Sequence, residues 1–241
     1  MCCAIRFAFS KSILALLLSW GAQGALTHLR AVDIWKPSGI ERYVVVDNVC
    51  AWPNLTLLRD GSIAAVIHNQ PSHSLLEGDI DCWVSQDGAL WEKRGNPTPN
   101  DLNTVRMNVA AGRAGDGNLV VLCSAWQMKP RRVLAPWVSR SADGGRTWSI
   151  IKSFPKAEQG WTEFVPFGPI LPGADGRLHT TCYSRGIKDS SARHVWHFTS
   201  QDDGRTWERG SVIGPNHNET SIFHLEAVSY THLTLPTNRE V

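Results

Sequence analysis

Ser141-Ala142-Asp143-Gly144-Gly145-Arg146-Thr147-Trp148 is the stretch that decides the fold, because the chain repeats it. Ser200-Gln201-Asp202-Asp203-Gly204-Arg205-Thr206-Trp207 carries the same S-x-D-x-G-x-T-W pattern, and Ser85-Gln86-Asp87-Gly88-Ala89-Leu90-Trp91 is that turn one residue shorter. The three tryptophans stand 57 and 59 residues apart. Upstream of each lies a second marker, Asp60-Gly61, Asp116-Gly117 and Asp175-Gly176, with glycines 56 and 59 residues apart. A fixed period of this length signals an array of one supersecondary unit. Ser and Asp side chains accept hydrogen bonds from the turn backbone, Gly supplies the positive φ, and Trp covers the hairpin, so these residues hold a turn and perform no reaction.

Each unit reads as an apolar run (Leu55 to Leu58, Val109 to Ala111, Pro169 to Leu171) and an Asp-Gly hairpin turn. A β-rich run follows (Ile63 to Ile67, Leu119 to Cys123, Leu178 to Cys182), then a longer loop and a Trp-bearing run before the Ser-Asp turn, and a last strand from its Trp. Four antiparallel strands per unit is a propeller blade, and no helical apolar stripe appears outside the N-terminus. The expectation is an all-β propeller of four-stranded antiparallel blades, at about 50–95, 106–152 and 165–210, with the first strand of a fourth at 218–226. Cys123 and Cys182 occupy one repeat position, matched by Ile67, and read as small core residues. Cys50 and Cys82 are left as thiols or a disulfide pair.

Outward from the repeat, the ends read differently. Residues 1–24 combine Arg6 and Lys11 with an apolar run from Ile13 to Trp20 and then small residues, a secretory signal too short to span a bilayer. Residues 25–227 are then the partial propeller, exported to a secreted or periplasmic location. Val228 to Thr237 reads as ten consecutive codons of a sequencing adapter, so 228–241 is expected to be a non-native tail on an N-terminal fragment. Without both ends the chain has 21 basic and 21 acidic residues. That balance gives no field for nucleic acid, and no membrane span remains once the signal is removed. Nothing in the sequence sets an oligomeric state.

The repeated motif resembles the Asp-box (BNR) repeats of the sialidase (neuraminidase) superfamily over about residues 50–225. The resemblance implies a propeller that is six-bladed when complete, of which about three blades and one strand are present here. It also implies an exo-acting, secreted glycoside hydrolase working on a glycan or glycoconjugate, inactive when truncated. The family binds the sugar carboxylate with an arginine cluster and uses an Asp acid/base and a Tyr activated by a Glu. Its first arginine falls on Ala51, which weakens the expectation of sialic acid as the sugar. Its acid/base falls near Glu77 and Asp79, and Glu219 in Asn218-Glu219-Thr220 matches the segment carrying its Glu. The nucleophile and the remaining arginines would lie beyond the given chain.

Topology separates the two faces without homology. The Ser-Asp turns join strands three and four on one side, so functional groups belong on the other, before strand one and between strands two and three. Those segments supply Asn54, Arg106, Asn108, Glu163 and Arg185 as substrate-binding candidates, with His68, Gln70 and His73 suited to sugar hydroxyls. Arg106 is favoured over Arg131 and Arg132, which fall in a polar loop. His68 and His73 lack a third ligand at metal spacing, and no nucleotide loop, zinc set or serine triad is present, so neither metal nor cofactor is expected. Six of the eleven tryptophans belong to the repeat. Trp52, Trp126 and Trp161 fall in or beside the functional segments as sugar-stacking candidates. A non-catalytic propeller binding glycan or protein through the same face is the competing function.

Overall fold

The computed structural model describes residues 6–9, 41–50, 52–225 and 228–233, with side chains over 43–50 and 52–223. Every regular element among them is a strand. β1 (Arg6–Phe9) pairs antiparallel with β2 (Glu41–Val44). β1 lies within the expected signal, the rest of which falls outside the described residues, as does Ala51.

Three four-stranded antiparallel meanders follow. The first is β3 (Asn54–Leu57), β4 (Ile63–His68), β5 (Ile80–Ser85) and β6 (Glu92–Thr98). The second is β7 (Thr104–Arg113), β8 (Leu119–Gln127), β9 (Arg132–Ser141) and β10 (Ser149–Ile151), and the third is β11 (Val165–Pro172), β12 (Leu178–Arg185), β13 (Arg193–Ser200) and β14 (Glu208–Pro215). β15 (Ser221–Leu225) pairs with β16 (Val228–Leu233), so part of the expected non-native tail is strand.

The burial pattern follows from the meander. β7, β8 and β12 are buried on both faces and read as near-continuous runs such as Leu119-Val-Val-Leu-Cys-Ser-Ala. The outermost β6 and β14 carry Glu92, Lys93, Arg94, Glu208 and Arg209, charges that blunt an open edge. Blades two and three join through a parallel pairing of their first strands, Gly168 to Ala110 and Ile170 to Gly112. Gly112 makes that approach possible, since a Cβ there would lie 1.9 Å from the Ile170 carbonyl oxygen. Phe164, Trp196, Phe198 and Trp207 fill the core around β11 to β14, with Cys182 among them. Cys82 and Cys123 sit in the neighbouring core, and burial raises their thiols to about 12 and about 11. Cys50 and Cys82 are not joined to each other in a disulfide.

All three Ser-Asp turns have one wiring. Ser85, Ser141 and Ser200 Oγ each accept from the turn glycine N–H, of Gly88, Gly145 and Gly204, at 2.8 Å. Asp143 accepts from Arg146 N, Thr147 N and Thr147 Oγ1, and Asp202 from the matching Arg205 and Thr206 groups. Trp91, Trp148 and Trp207 Nε1 donate back to the turn glycine's carbonyl at 2.9, 3.0 and 3.2 Å. The Asp-Gly turns close similarly, with Ser62, Asn118 and Arg177 N–H donating to Asp60, Asp116 and Asp175.

Candidate functional site

Both kinds of turn lie at one end of the blades, so the opposite end presents the loops between strands two and three. There the third blade does something the repeat does not require. β12 ends at Arg185 and β13 begins at Arg193, and the two are direct cross-strand partners. Like charges directly opposite destabilise a ladder, so this pair needs a local negative group. The Nε–H of each arginine is buried with no acceptor among the described residues.

Carboxylates sit beside the pair. Burial raises the Glu219 carboxyl above its ordinary value, and Arg185 and Arg193 pull it part-way back. Glu163, just before β11, has Oε2 buried with no donor among the described residues. It is held near Arg185 because Thr162 N donates to the Arg185 carbonyl at 2.8 Å and Arg185 N donates to Thr162 Oγ1 at 3.0 Å. Tyr183 lies two residues before Arg185 on β12, and burial raises its hydroxyl. Arg131 and Arg185 place their guanidinium carbons 5.2 and 5.5 Å from the Trp126 ring centre. Arg131 also donates to Ser74 Oγ at 2.7 Å, tying the loop of the first blade to this cluster. His73, edge-on to Trp52 at 5.0 Å, is lowered by desolvation and then by Arg131 and Arg185. Chemically this is a place for an oxyanion, with unsatisfied cationic donors, an aromatic wall and a carboxyl that protonates more readily than usual.

The sequence-derived candidates therefore separate. Arg185, Glu163, Glu219 and His73 belong to this neighbourhood, together with Trp126. Glu77 and Asp79 have other partners. Glu77 Oε1 accepts from Asn103 N at 2.7 Å, while Asp79 accepts from Asn96 Nδ2 at 2.8 Å and Asn100 N at 2.5 Å. Both carboxylates pin the β6–β7 connection. Gln70 is half-buried, its carbonyl accepts from Cys50 N at 2.8 Å and its side-chain amide donates to Asn69 Oδ1 at 3.4 Å, and Asn54 Nδ2 donates to the Gly168 carbonyl across the first strands. Arg106 is 1% exposed, donates to the Pro99 carbonyl and lies 3.4 Å over Trp137, with its Nη1 buried and without a partner among the described residues. Asn108 and His68 are buried beside it, with His68 Nδ1 donating to the Arg106 carbonyl at 2.8 Å and desolvation lowering that imidazole.

Arg193, Tyr183 and Arg131 were not singled out from sequence as site groups. A signal for two members of the cluster was present. Aligning Ile67, Cys123 and Cys182 puts His68, Ser124 and Tyr183 at one repeat position and Gln70, Trp126 and Arg185 at another. Residues that vary while the frame around them repeats mark the functional ends of the strands.

Sequence comparison with family models and with curated proteins gives no match. Comparison of structures does. A Dyadobacter fermentans protein of unknown function superposes with TM-score 0.62 at 17% identity, over 73% of this chain and 58% of that one. A Hadza microbial sialidase gives 0.58 at 20% identity, over 70% and 39%, and Trypanosoma rangeli sialidase gives 0.58 at 18%, over 78% and 34%. The fold is the all-β, sialidase-like propeller. The chain spans about a third to just over half the length of these structures.

Proposed function

We propose that this propeller belongs to a secreted, sialidase-like glycoside hydrolase and that its loop face receives an acidic sugar. The observation that carries the reading is the Arg185–Arg193 pair, with two buried, acceptorless Nε–H groups beside Glu219. A sugar carboxylate supplies the missing acceptors and relieves the like-charge repulsion. The Trypanosoma rangeli sialidase to which the fold is similar is known in complex with sialic acid, which makes that sugar the first ligand to try. In this proposal the chain is the N-terminal half of the propeller. Glu219 is the carboxyl nearest the chemistry, and the chain alone binds sugar without turning it over.

One observation favours the second reading, a propeller that binds glycan without cleaving it. Glu77 and Asp79, the nearest matches to an acid/base, are both engaged by the β6–β7 connection. Calorimetry of the chain with sialic acid, with aryl-sialoside turnover measured on the same protein and on the full-length gene product, tests both. Binding lost in Arg185→Ala supports the site, turnover by the longer protein supports the hydrolase, and absence of any binding removes both readings.

A further inference from the structure

At the turn end, the seam between blades one and two is built differently from the seam between blades two and three. In blade three Asp203, directly after the turn aspartate Asp202, closes its seam. Its Oδ1 accepts from Gly115 N of blade two at 3.0 Å, and its Oδ2 faces Arg205 Nη1 at 4.0 Å. The matching residue of blade two is Gly144, which has no side chain to offer blade one. Two other positions change with it. Arg59, before Asp60, stands where blade two has Gly115 before Asp116, and Arg94, three residues after Trp91, stands where blade two has Ile151. The first seam thus loses a carboxylate and gains two guanidinium groups, one of which is offset by Asn118 in the place of Arg177.

The result is an open cleft of about 300 Å³, lined by Arg59, Asp60 and Arg94 of blade one and Asp116, Gly144 and Arg146 of blade two. A Cβ placed on Gly144 would lie 3.0 Å from Arg94 Nη1 and 4.0 Å from Arg146 Nη1. Two guanidinium groups therefore converge where blade three holds its carboxylate. Each cation is oriented from behind. Arg94 donates from Nη1 to the Gly144 carbonyl at 3.1 Å and from Nε to Glu92 at 3.2 Å. Arg146 Nη1 donates to the Asp143 carbonyl at 3.1 Å, and Arg59 Nη2 to the Gly115 carbonyl at 2.8 Å. A guanidinium has five N–H donors, so these bonds fix the groups and leave others for a ligand. The carboxylates of the cleft have donors of their own. Asp60 accepts from Ser62 N and Oγ, Asp116 from Asn118 N and Arg140 Nη2, and Asp143 from its own turn.

We propose that this cleft is an anion site, taking the sulfate or phosphate monoester group of a larger ligand in the place of the missing carboxylate. Guanidinium groups arriving from both blades suit a tetrahedral group with several free oxygens better than a planar carboxylate. The cleft is at the small end of ligand-sized sites and has room for part of the molecule that carries the group. The bound group bridges blades one and two as Asp203 bridges two and three. The site lies at the end of the blades opposite the Arg185–Arg193 pair and is independent of the acidic-sugar reading.

Titration of the ¹⁵N-labelled chain with inorganic sulfate, inorganic phosphate or acetate, at an ionic strength held constant with chloride, reads the site through the amide resonances of Gly117, Gly144 and Gly145. Sulfate and phosphate are expected to move these resonances saturably and to raise the melting temperature, and acetate to bind more weakly. Gly144→Asp supplies the carboxylate from the chain. Asp203 already holds φ 57° at the matching position and Gly144 has φ 70°, so the variant is expected to fold and to lose the saturable shift. Arg146→Gln, on an exposed side chain, is expected to weaken both ions by about 10-fold, the scale of one charge-assisted bond. Galactose 6-sulfate and galactose 6-phosphate then separate the two sources. Tighter binding of either than of its inorganic ion supports a larger ligand and identifies the ester, and weaker binding of both overturns it. Shifts that chloride reproduces, no saturable shift with either ion, acetate binding as tightly as sulfate and phosphate, or affinity unchanged in folded Gly144→Asp or in Arg146→Gln overturns the site.

Discussion

On the turn face, Asp87, Asp143 and Asp202 each accept hydrogen bonds from their own turn's backbone and serine hydroxyl, and three blades repeat the pattern nearly atom for atom. On the loop face of the same blades, Arg185 Nε, Arg193 Nε, Trp126 Nε1 and Glu163 Oε2 are buried without partners among the described residues, and no two blades carry the same residues there, whereas at the turns Arg140 Nε is left so while Arg140 Nη2 donates to Asp116. A satisfied, repeated network is what stability selects, because buried polar groups left unpaired cost about 1–3 kcal/mol each. An unsatisfied, unrepeated one is a place where a ligand completes the bonding. The contrast teaches that in a repeat fold the site is found where the repeat is broken.

The largest expected effect breaks the loop face alone. Replacing both Arg185 and Arg193 by Ala should weaken sialic acid binding by about 100-fold or more, since charge-assisted bonds are worth about 1.5–3 kcal/mol each. The melting temperature should hold or rise, because a like-charge cross-strand pair is relieved. Calorimetry and a thermal melt on the same preparation decide it, and a collapsed melt would make the pair structural.

Asp143→Ala is the mirror experiment on the turn face. It removes the acceptor for Arg146 N, Thr147 N and Thr147 Oγ1, and should cost about 2 kcal/mol in a denaturant titration. Sugar affinity should stay within twofold of wild type. A binding defect as large as the stability defect would mean that the two faces are coupled.

The turn face was legible in the sequence because its chemistry is local. A Ser, an Asp and a Gly within five residues specify their own hydrogen bonds, so the blades and their strand order follow from the motif and its period. The loop face is assembled from residues distant along the chain. Arg193 meets Arg185 only through the β12–β13 register, and Arg131 reaches Ser74 across 57 positions. Arg106 was legible only in part for the same reason. Its place at the entry to the second blade offers it as a binding residue, and only the packed structure shows Trp137 covering it and Pro99 accepting from it. Arg131, passed over because polar loops usually leave their arginines in water, is tied to the site through Ser74 and Trp126.

Acid sharpens the comparison, because the turn aspartates and Glu219 respond with opposite sign. Backbone hydrogen bonds from Leu90 and Ala89 hold Asp87 below the usual aspartate value. In Asp143 and Asp202 burial pushes upward, but bonds from Thr147 and Thr206 and their neighbours outweigh it. Groups lowered in the folded state contribute stability that is complete above the unfolded value, about 3.9, and is lost as pH falls through the folded values. Glu219 is raised, so its contribution is lost as pH rises from about 4.3 through its folded value. Unfolding free energy measured from pH 7 to 2 should therefore fall steeply below about pH 4. Asp143→Asn should flatten that acid limb, and Glu219→Gln should add stability at neutral pH. A Glu219→Gln protein with an unchanged or lower midpoint at pH 7 would contradict the burial of its charge.

The smallest effect belongs to a carboxylate on the loop face that behaves like one on the turn face. Glu77 is exposed, yet its Oε1 accepts from Asn103 N at 2.7 Å and so holds the β6–β7 connection against the first blade's loop. An amide oxygen can accept that bond and a methyl group cannot. Glu77→Gln should therefore leave stability within about 0.5 kcal/mol and sugar binding unchanged, while Glu77→Ala should cost about 1 kcal/mol. Denaturant midpoints of the two variants measure this directly. If the longer protein turns over aryl sialosides and Glu77→Gln stops it with binding intact, Glu77 is a proton donor and not a pin. The division between satisfied and unsatisfied groups would then cut through the loop face, and no longer between the two faces.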